Sequence, residues 1–341
     1  MRIGFLGAGR IGAFHAEALA RTPGVDELLI GDLDAGRAAE LAARVGRQGG
    51  APARAAESVD SVFTGGVDAV VIATATAAHA GFITRAARAG LPAYCEKPVA
   101  LDLAGTLAAL REVEDAGTLL QMGFQRRFDP GYRAARQAVR EGRLGRLHTI
   151  RAVTSDPAPP PAGFLPLSGG LIRDCLVHDF DAVRWLTGRE VVEAYATGAN
   201  GGADFFRDAG DVDTAAALLT LDDGTLVTAT ATRYNGAGYD VRMELPGERD
   251  QLVVGLDART PFTSAEPGGP AAPERPWTGF LERFAGAYRA ELAAFVRAAR
   301  GEAPNPCSGQ EALHALLVAE ACELSRAECR PVRMTEVAGR N

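Results

Sequence analysis

Residues 168–188, SGGLIRDCLVHDFDAVRWLTG, place several ionisable side chains among apolar ones in one helical pattern. At about 100° per residue, Asp174, His178 and Asp181 fall within about 60° of one another, while Asp179 points elsewhere. The apolar residues would pack this helix against a core and leave the polar stripe displayed. A histidine there could take the proton of a substrate hydroxyl, with Asp174 orienting it or holding a neighbouring hydroxyl. The alternative is a solvated acidic helix face with a satisfied histidine.

A second candidate group is GAGRIG, residues 7–12, which stands directly between a strand pattern and a helix pattern. Gly7 would make the tight turn, Gly9 would let a pyrophosphate approach the backbone, and Gly12 would allow close helix packing. The first helical residues, Arg10 and Ile11, would then lie with their free N–H groups towards the phosphates. The motif predicts a dinucleotide site, and a glycine turn without a ligand is the alternative.

Asp32 ends the second strand pattern about twenty residues after this glycine motif. A carboxylate at this place would bind the ribose hydroxyls of adenosine and would repel a 2'-phosphate. Asp32 therefore favours NAD over NADP as the cofactor. Asp34 is a weaker candidate for the ribose, and we expect it to cap the following helix.

The third candidate is CEKP, residues 95–98, which closes a strand pattern at its carboxyl end. Open α/β sheets bind their ligands at that end of the strands. Pro98 favours an extended backbone at Lys97, so the lysine amine could project into a crevice and stabilise an alkoxide or carbonyl oxygen. Lysines are rare in this chain, which prefers arginine, so Lys97 is less easily explained as a solvated surface charge.

The pattern of elements suggests how these residues are positioned. Residues 1–124 alternate strands and helices, which predicts a parallel sheet with helices on both faces. The predicted strands of this Rossmann dinucleotide-binding domain are residues 2–7, 27–32, 68–74, 91–96 and 118–124. Residues 125–341 contain strand-like runs and a DDGT turn at 222–225, which predict a second, α+β domain with a mainly antiparallel sheet.

Composition excludes several kinds of function. The 341 residues include 36 basic and 43 acidic side chains, for a net charge of -7, so no basic field is expected to hold nucleic acid. The start of the sequence has no signal-peptide pattern and no apolar run is long enough for a bilayer, so we expect a cytoplasmic protein without membrane contact. The five cysteines are scattered without a CxxC pair, which favours reduced thiols and predicts no metal site.

These motifs together give the chain a recognisable likeness. It resembles the glucose-fructose oxidoreductase / inositol dehydrogenase family over essentially its whole length, and its HDFD and GYD segments look most like the myo-inositol 2-dehydrogenase branch. The segments that carry the resemblance are GFLGAGRIG, CEKP, GFQRRFDP (123–130), the SGG block through HDFD, GYDVRME (238–244) and RFAGAYRAELAAF.

The resemblance implies a large open sheet in the second domain and a catalytic lysine, aspartate and histidine. These map onto Lys97, Asp174 and His178. Substrate contacts map onto Arg127, Asp181 and Tyr239. For Arg126 or Arg127 an ion pair with Asp129 is the alternative, and for Tyr239 a half-buried sheet position.

The resemblance also implies cofactor contacts near the ends of the third and fourth predicted strands, from Thr74, His79 and Glu96. The family often has Thr-Pro or Asn-Pro before its histidine, whereas this chain has no proline between Thr74 and His79. The nicotinamide loop is therefore expected to differ slightly, and a plain helix-start position is the alternative for His79.

The implied activity is NAD-dependent oxidation of a ring secondary alcohol of a myo-inositol-like cyclitol to a ketone. His178 would act as the base and Lys97 would steady the oxyanion, which requires both side chains to meet at one alcohol carbon. A dehydrogenase for an aldose or modified sugar and a non-catalytic NAD-binding sensor are the alternatives. A homo-oligomer, dimer or tetramer, is expected to form through the open sheet.

Overall fold

The computed structural model describes residues 1–338 and divides the chain into two compact units. The first unit consists of residues 1–125 and 286–313, and the second of residues 126–285 and those from 314 onward. Residues 1–125 form, in chain order, β1 (Arg2–Leu6), α1 (Arg10–Leu19), β2 (Glu27–Gly31), α2 (Ala35–Arg47), β3 (Ala53–Ala55), α3 (Val59–Thr64), β4 (Ala69–Ile72), α4 (His79–Arg88), β5 (Ala93–Glu96), α5 (Leu103–Ala116) and β6 (Leu120–Gly123).

The rest of the described chain begins with a helix and continues mainly as strands. Its elements are α6 (Pro130–Arg140), β7 (Thr149–Ser155), α7 (Leu165–Ser168), a π-helical turn (Ile172–Leu176), α8 (Val177–Thr187), β8 (Val191–Ala199), α9 (Phe205–Asp208), β9 (Thr214–Leu221), β10 (Leu226–Thr232), β11 (Asp240–Pro246), β12 (Gln251–Val254), α10 (Phe280–Arg283), α11 (Ala285–Ala299), α12 (Gly309–Glu328), β13 (Val332–Arg333) and α13 (Met334–Ala338).

The sheet of the first unit is parallel, with the order β3-β2-β1-β4-β5-β6. Its central strands β1 and β4 are buried and apolar apart from Arg2, as expected for a parallel sheet that helices cover on both faces. The prediction of a Rossmann domain is confirmed, and β3 and α3 are additions that the sequence pattern did not reveal. The order reverses between β1 and β4, so a crevice is expected beside the carboxyl ends of these two strands.

Helix α11 belongs to the core of the first unit. Its residues Leu292, Phe295 and Val296 are buried in the same apolar cluster as Ile3 and Phe5. The predicted boundary after residue 124 lies one residue before the division in the structure, but residues 286–313 group with the first unit and not with the second. An amphipathic pattern shows that a helix buries one face, without showing which core covers that face.

The sheet of the second unit has seven strands in the order β12-β11-β7-β10-β9-β8-β13. All neighbours are antiparallel except β7 and β10, which run parallel, so the prediction of a mainly antiparallel sheet is confirmed. The DDGT segment joins β9 to β10 as a hairpin, as predicted. Burial alternates along both strands, so one face of the sheet is covered and the other is exposed.

The segment predicted as one helix over 168–188 is divided in the structure. Helix α7 ends at Ser168, and Gly169 and Gly170 then adopt positive φ values of 79° and 93°. The chain continues through the π-helical turn Ile172–Leu176 into α8. A π turn closes i→i+5 bonds, so a uniform 100° per residue does not apply across Asp174.

Within residues 1–338, none of the helices combines the length and the apolar character that crossing a bilayer requires.

Candidate active site

The glycine loop of the first unit follows β1. Gly7 has φ 102°, and a Cβ atom there would lie 2.4 Å from the carbonyl oxygen of Ala73. A Cβ at position 12 would lie 2.0 Å from the carbonyl oxygen of Gly7, whereas one at Gly9 would meet no atom within 4 Å. Gly7 and Gly12 are therefore needed for internal packing, while the space beside Gly9 is open.

This loop fits a dinucleotide. Gly9 is the N-cap of α1 and offers no side-chain cap to the first amides of the helix. Uncapped amides and open space together suit a pyrophosphate, which would accept their hydrogen bonds. Arg10 is exposed and Ile11 half-buried at this end of α1.

Asp32 follows β2 at the same edge of the sheet. Its Oδ2 accepts a hydrogen bond of 2.7 Å from the backbone of Ala8, and its Oδ1 accepts one of 2.9 Å from the backbone of Asp34. The carboxylate therefore holds the glycine loop as well as standing where a ribose is predicted. Asp34 caps α2 through the amides of Gly36 and Arg37, so the prediction of an N-cap is confirmed.

Lys97 follows the last residue of β5 and is half-buried. It is the only lysine among the 341 residues. The peptide bond between Lys97 and Pro98 is cis. Because β1, β2, β4 and β5 are parallel, their carboxyl ends place the glycine loop, Asp32, Thr74 and Lys97 along one edge of the first unit's sheet.

Glu96, the last residue of β5, is held by two donors. Its Oε1 accepts from His15 Nε2 at 2.6 Å and from the Tyr94 hydroxyl at 3.0 Å. Burial disfavours the charged carboxylate, but the hydrogen bond from His15, together with Tyr94 and the charge of Lys97, outweighs burial and lowers the pKa of Glu96. Glu96 was predicted to contact the cofactor, and its carboxylate is here a member of an internal network.

His79 is the first residue of α4 and is 1% exposed. Its Nδ1 lies 2.7 Å from the carbonyl oxygen of Pro98, and its Nε2 lies 3.1 Å from that of Thr74. Burial lowers the pKa of His79, which favours the neutral ring despite these two carbonyl oxygens. His79 thus links the turn after β4 to the turn after β5.

In the second unit, Asp174 lies in the π-helical turn before α8. It is paired with Arg233, which the sequence motifs did not predict. Arg233 Nη2 donates to Asp174 Oδ2 at 2.6 Å, and Arg233 Nη1 donates to Asp156 Oδ2 at 2.7 Å. Burial opposes the charge on the arginine, but these carboxylates and Cys175 raise the pKa of Arg233 above its usual value. One guanidinium therefore holds two carboxylates.

His178 lies half-buried in the first turn of α8, next to two buried ion pairs. Asp179 is fully buried and accepts from Arg126 and from the Thr154 hydroxyl. Asp181 is also fully buried and binds Arg127 with two bonds, Nε to Oδ2 at 2.9 Å and Nη2 to Oδ1 at 2.5 Å. The displayed stripe expected for this helix is therefore interrupted at Asp181, which faces the protein interior.

Burial opposes the charge on Arg126, yet the adjacent Asp179 carboxylate raises the pKa of Arg126. Burial also raises the pKa of Asp179, although Arg126 and the Thr154 hydroxyl oppose this rise. Tyr239 is 5% exposed just before β11, and burial raises its pKa well above the usual value. This is a more buried position than the half-buried one that a strand pattern indicates.

His15, Asp156 and Arg233 belong to these networks and were not predicted as site residues. His15 shares the buried face of α1 with Ala16 and Leu19, where a histidine needs a polar partner. Asp156 and Arg233 directly follow Ser155 and Thr232, which are paired in the parallel ladder of β7 and β10. That pairing is the signal that would have found them, and it joins strands far apart in sequence.

The strand order of the first unit, its glycine loop and the acid after β2 define a dinucleotide-binding protein of the Rossmann class. The comparisons with known proteins narrow the class. Residues 1–124 match the oxidoreductase family model with an NAD-binding Rossmann fold, and residues 132–253 match the GFO/IDH/MocA C-terminal domain. The chain belongs to this family of NAD-dependent oxidoreductases, as the sequence motifs predicted.

Similar proteins match over nearly the whole length. A myo-inositol dehydrogenase from Streptomyces leeuwenhoekii is 40% identical over 94% of this chain and 96% of its own. The crystal structure of a putative myo-inositol dehydrogenase from Sinorhizobium meliloti matches with a TM-score of 0.89 and 34% identity, over 98% of this chain and 99% of that one. The scyllo-inositol dehydrogenase from Lactobacillus casei, with bound NAD(H) and scyllo-inositol, matches with a TM-score of 0.86 and 28% identity, over 98% and 99%.

Proposed function

We propose that this protein oxidises a ring secondary alcohol of a cyclitol, such as myo-inositol or scyllo-inositol, to a ketone with NAD. The observation that supports this most strongly is the full-length likeness to inositol dehydrogenases, one of which is described with NAD(H) and scyllo-inositol bound. The residues present suit such a substrate, because each hydroxyl of a polyhydroxylated ring can donate to a carboxylate or accept from an arginine.

NAD, when bound, accepts the hydride that leaves the alcohol carbon. His178 takes the proton of the same hydroxyl, so that the carbon loses a hydride and the oxygen loses a proton as the carbonyl forms. The ammonium group of Lys97 stabilises the negative charge that develops on this oxygen. Asp174 orients His178, and Arg233 holds Asp174 in place.

In the first unit, the glycine loop would hold the pyrophosphate and Asp32 the adenosine ribose. We also assign Arg10, Ile11, Thr74, His79 and Glu96 to the cofactor site, either by contact or by shaping the turns that contact the cofactor. In the second unit, Arg127, Asp181 and Tyr239 stay as predicted substrate residues.

The experiment is a spectrophotometric assay of NADH formation with myo-inositol, scyllo-inositol and a panel of aldoses and modified sugars. We expect turnover with at least one inositol and a lower kcat/KM with the aldoses. An enzyme that oxidises an aldose best would point instead to a sugar dehydrogenase. Absence of turnover on every polyol, with NADH still bound, would support a sensor.

The catalytic roles are tested by Lys97→Met and His178→Asn, which remove the cation and the base. Each should lower kcat by about 10²-fold to 10⁴-fold while the Kd for NADH changes little. His148→Asn is the control, because His148 is exposed and belongs to neither network. Full activity in Lys97→Met would contradict the role given to the lysine.

A further inference from the structure

The two chain neighbours of Lys97 are each held by a buried histidine. The Glu96 carboxylate accepts from His15 Nε2 at 2.6 Å, and the Pro98 carbonyl oxygen lies 2.7 Å from His79 Nδ1. The histidines come from different helices, α1 and α4, and are 0% and 1% exposed. A turn of three residues is thus fixed from both sides of its central lysine.

The ring of His15 is enclosed by aromatic side chains. It packs edge-on against Tyr94, with ring centroids 5.7 Å apart, and against Tyr288, with centroids 5.4 Å apart. Its Nδ1 is buried and has no hydrogen-bond partner in the described part of the chain. The hydrogen-bonding nitrogen of His15 is therefore Nε2, which faces Glu96.

His15 is also the dedicated donor to Glu96. The other donor, the Tyr94 hydroxyl, lies 3.0 Å from Glu96 Oε1 and 3.1 Å from Glu291 Oε2. A hydroxyl carries one proton, so Tyr94 can donate to only one carboxylate at a time. When that proton faces Glu291, the bond from His15 remains at Oε1.

The space around this network is closed. A Cβ atom at Gly123 of β6 would lie 2.7 Å from the Tyr94 hydroxyl and 3.1 Å from the Glu96 carboxyl group. The backbone of β6 therefore packs directly against both groups and limits movement of the Glu96 side chain. Glu96 can transmit a displacement of His15 to the turn that follows it.

His79 holds its partner through the other ring nitrogen, Nδ1. The neutral ring carries one N–H, and the shorter approach is that of Nδ1 to Pro98, at 2.7 Å, compared with 3.1 Å from Nε2 to Thr74. The proton on Nδ1 is thus donated to the carbonyl of the residue after Lys97.

We propose that His15 and His79 are positioning residues that hold Glu96 and Pro98 and thereby direct the ammonium group of Lys97. This inference rests on the proposed function, in which Lys97 contacts the reacting oxygen. Lysine has a flexible four-carbon stem, so a small rotation of the backbone displaces its end group by more than its Cα. Misplacement of a catalytic group by about 1 Å can cost about 10²-fold in rate.

The roles of His15 and His79 can be tested by replacing each histidine with asparagine and with glutamine. The amide nitrogen of asparagine stands as many bonds from Cβ as Nδ1 does, and that of glutamine as many as Nε2. His15→Gln should therefore keep the bond that His15→Asn loses, whereas His79→Asn should keep the bond that His79→Gln loses. We expect kcat to fall about tenfold or more in the two mismatched variants and much less in the matched ones.

A measurement that does not depend on turnover uses the single lysine. Protein labelled with lysine carrying ¹³C at Cε gives one lysine side-chain resonance, that of Lys97. In the matched variants this resonance should coincide with that of the wild type, and in the mismatched variants it should shift or broaden. His148→Asn and His148→Gln serve as controls and should change neither the resonance nor kcat.

The outcomes separate this inference from the proposed function. A wild type that oxidises no polyol would refute the function, while the Lys97 resonance would still report on the two histidines. Equal resonances and equal kcat in all four variants would overturn the positioning roles. If a mismatched variant does not fold, the matched variant at the same position tests the positioning role of that histidine. A Lys97 resonance like that of the wild type supports the role, and a displaced resonance overturns it.

Discussion

The guanidinium of Arg233 donates to the carboxylate of Asp174 across 2.6 Å, which joins the end of β10 to the π-helical turn before α8. The arginine side chain is 5% exposed and that of Asp174 is 17% exposed. Solvent screens a charge in this position only weakly, so removing its partner should lower the stability of the protein strongly. Asp174 is the residue that we propose orients His178, so this contact connects stability with catalysis.

Arg233→Met should therefore lower both stability and turnover. It leaves the carboxylates of Asp174 and Asp156 without their shared cation, and we expect a loss of about 3 kcal/mol in the free energy of unfolding. Urea denaturation of the variant and the wild type measures this loss. Arg151→Met is the matched control, because the exposed pair of Arg151 with Glu244 should contribute less than about 1 kcal/mol. Equal stability of the two variants would show that Arg233 has no such role.

The buried pair of Arg127 and Asp181 allows a double-mutant test. Arg127→Met and Asp181→Leu should each cost about 3 kcal/mol or more, since each leaves one charge buried without its partner. The double variant should be more stable than the sum of the two losses predicts, because it buries no charge. Denaturant midpoints with an unchanged slope provide the measurement, and additive losses would contradict the coupling.

The same variants examine the predicted substrate role of the pair. If Arg127 and Asp181 only stabilise the fold, the double variant that regains stability should also regain the wild-type KM for the cyclitol. A KM that stays raised in a stable double variant would support substrate contact by these residues.

The preference for NAD over NADP that Asp32 predicts can be tested by substituting this residue. Removing its carboxylate in Asp32→Ala should lower kcat/KM with NAD and raise it with NADP, because a 2'-phosphate is no longer repelled. We expect the ratio of the two values to change by more than about tenfold, which corresponds to about 1.4 kcal/mol.

Asp34→Ala is the control for this exchange. Asp34 caps α2 and lies two residues away, so its loss should cost about 1 kcal/mol of stability and leave the cofactor ratio unchanged. An unchanged ratio in Asp32→Ala would mean that this carboxylate only holds the amides of Ala8 and Asp34.

Local patterns in the sequence predicted the glycine loop and most strands of the first unit. The positive φ of Gly7 and the close approach of Gly12 to Gly7 are local, so the motif and its flanking strand and helix indicate them directly. The close approach of Gly7 to Ala73 depends on the pairing of β1 with β4. The π-helical turn at Asp174 could not be predicted in this way, because hydrophobic periodicity assumes a constant angle per residue.

Contacts between distant residues were beyond the reach of such patterns. His15 and Glu96 are 81 residues apart, and Arg233 and Asp174 are 59 apart. The first pair is brought together by the strand order β1-β4-β5, and the second by the packing of the π-helical turn against β10. A motif identifies candidate residues in one segment of the sequence, whereas the topology of the fold determines which distant residues they contact.

Burial of His79 gives the stability of the protein a dependence on pH. Its pKa is lowered in the folded state, with Lys97 adding to the effect of burial and the two carbonyl oxygens and Glu96 opposing it. Between that value and about 6.5, the unfolded chain binds a proton that the folded chain does not. The contribution of neutral His79 is therefore complete above about pH 6.5 and decreases as the pH falls below it.

His79→Asn removes this titration and keeps an amide near the Pro98 carbonyl. Between about pH 7.5 and about pH 5.5, the unfolding free energy of the wild type should fall more than that of the variant. Urea denaturation at both values measures it. A difference that is constant over this range would show that His79 has the same pKa in both states.

The exposed face of the sheet in the second unit offers a contact for a second copy of the chain. Tyr195 of β8 and Leu218 of β9 are cross-strand partners and are 40% and 45% exposed, and exposed Leu226 of β10 lies diagonally across from Leu218. Apolar side chains in neighbouring positions on one face favour burial against another surface. We propose that two copies pack through this face, in a dimer or as part of a tetramer.

Leu218→Glu should dissociate this oligomer, since it would place a charge without a partner in the centre of the buried area. Size-exclusion chromatography with light scattering measures the mass, which should fall to that of a single 35.6 kDa chain. Leu256→Glu is the control, because Leu256 is 56% exposed and lies outside the strands of the sheet. A wild type that is already monomeric at micromolar concentration, or a Leu218→Glu variant that keeps the wild-type mass, would exclude this face as the interface.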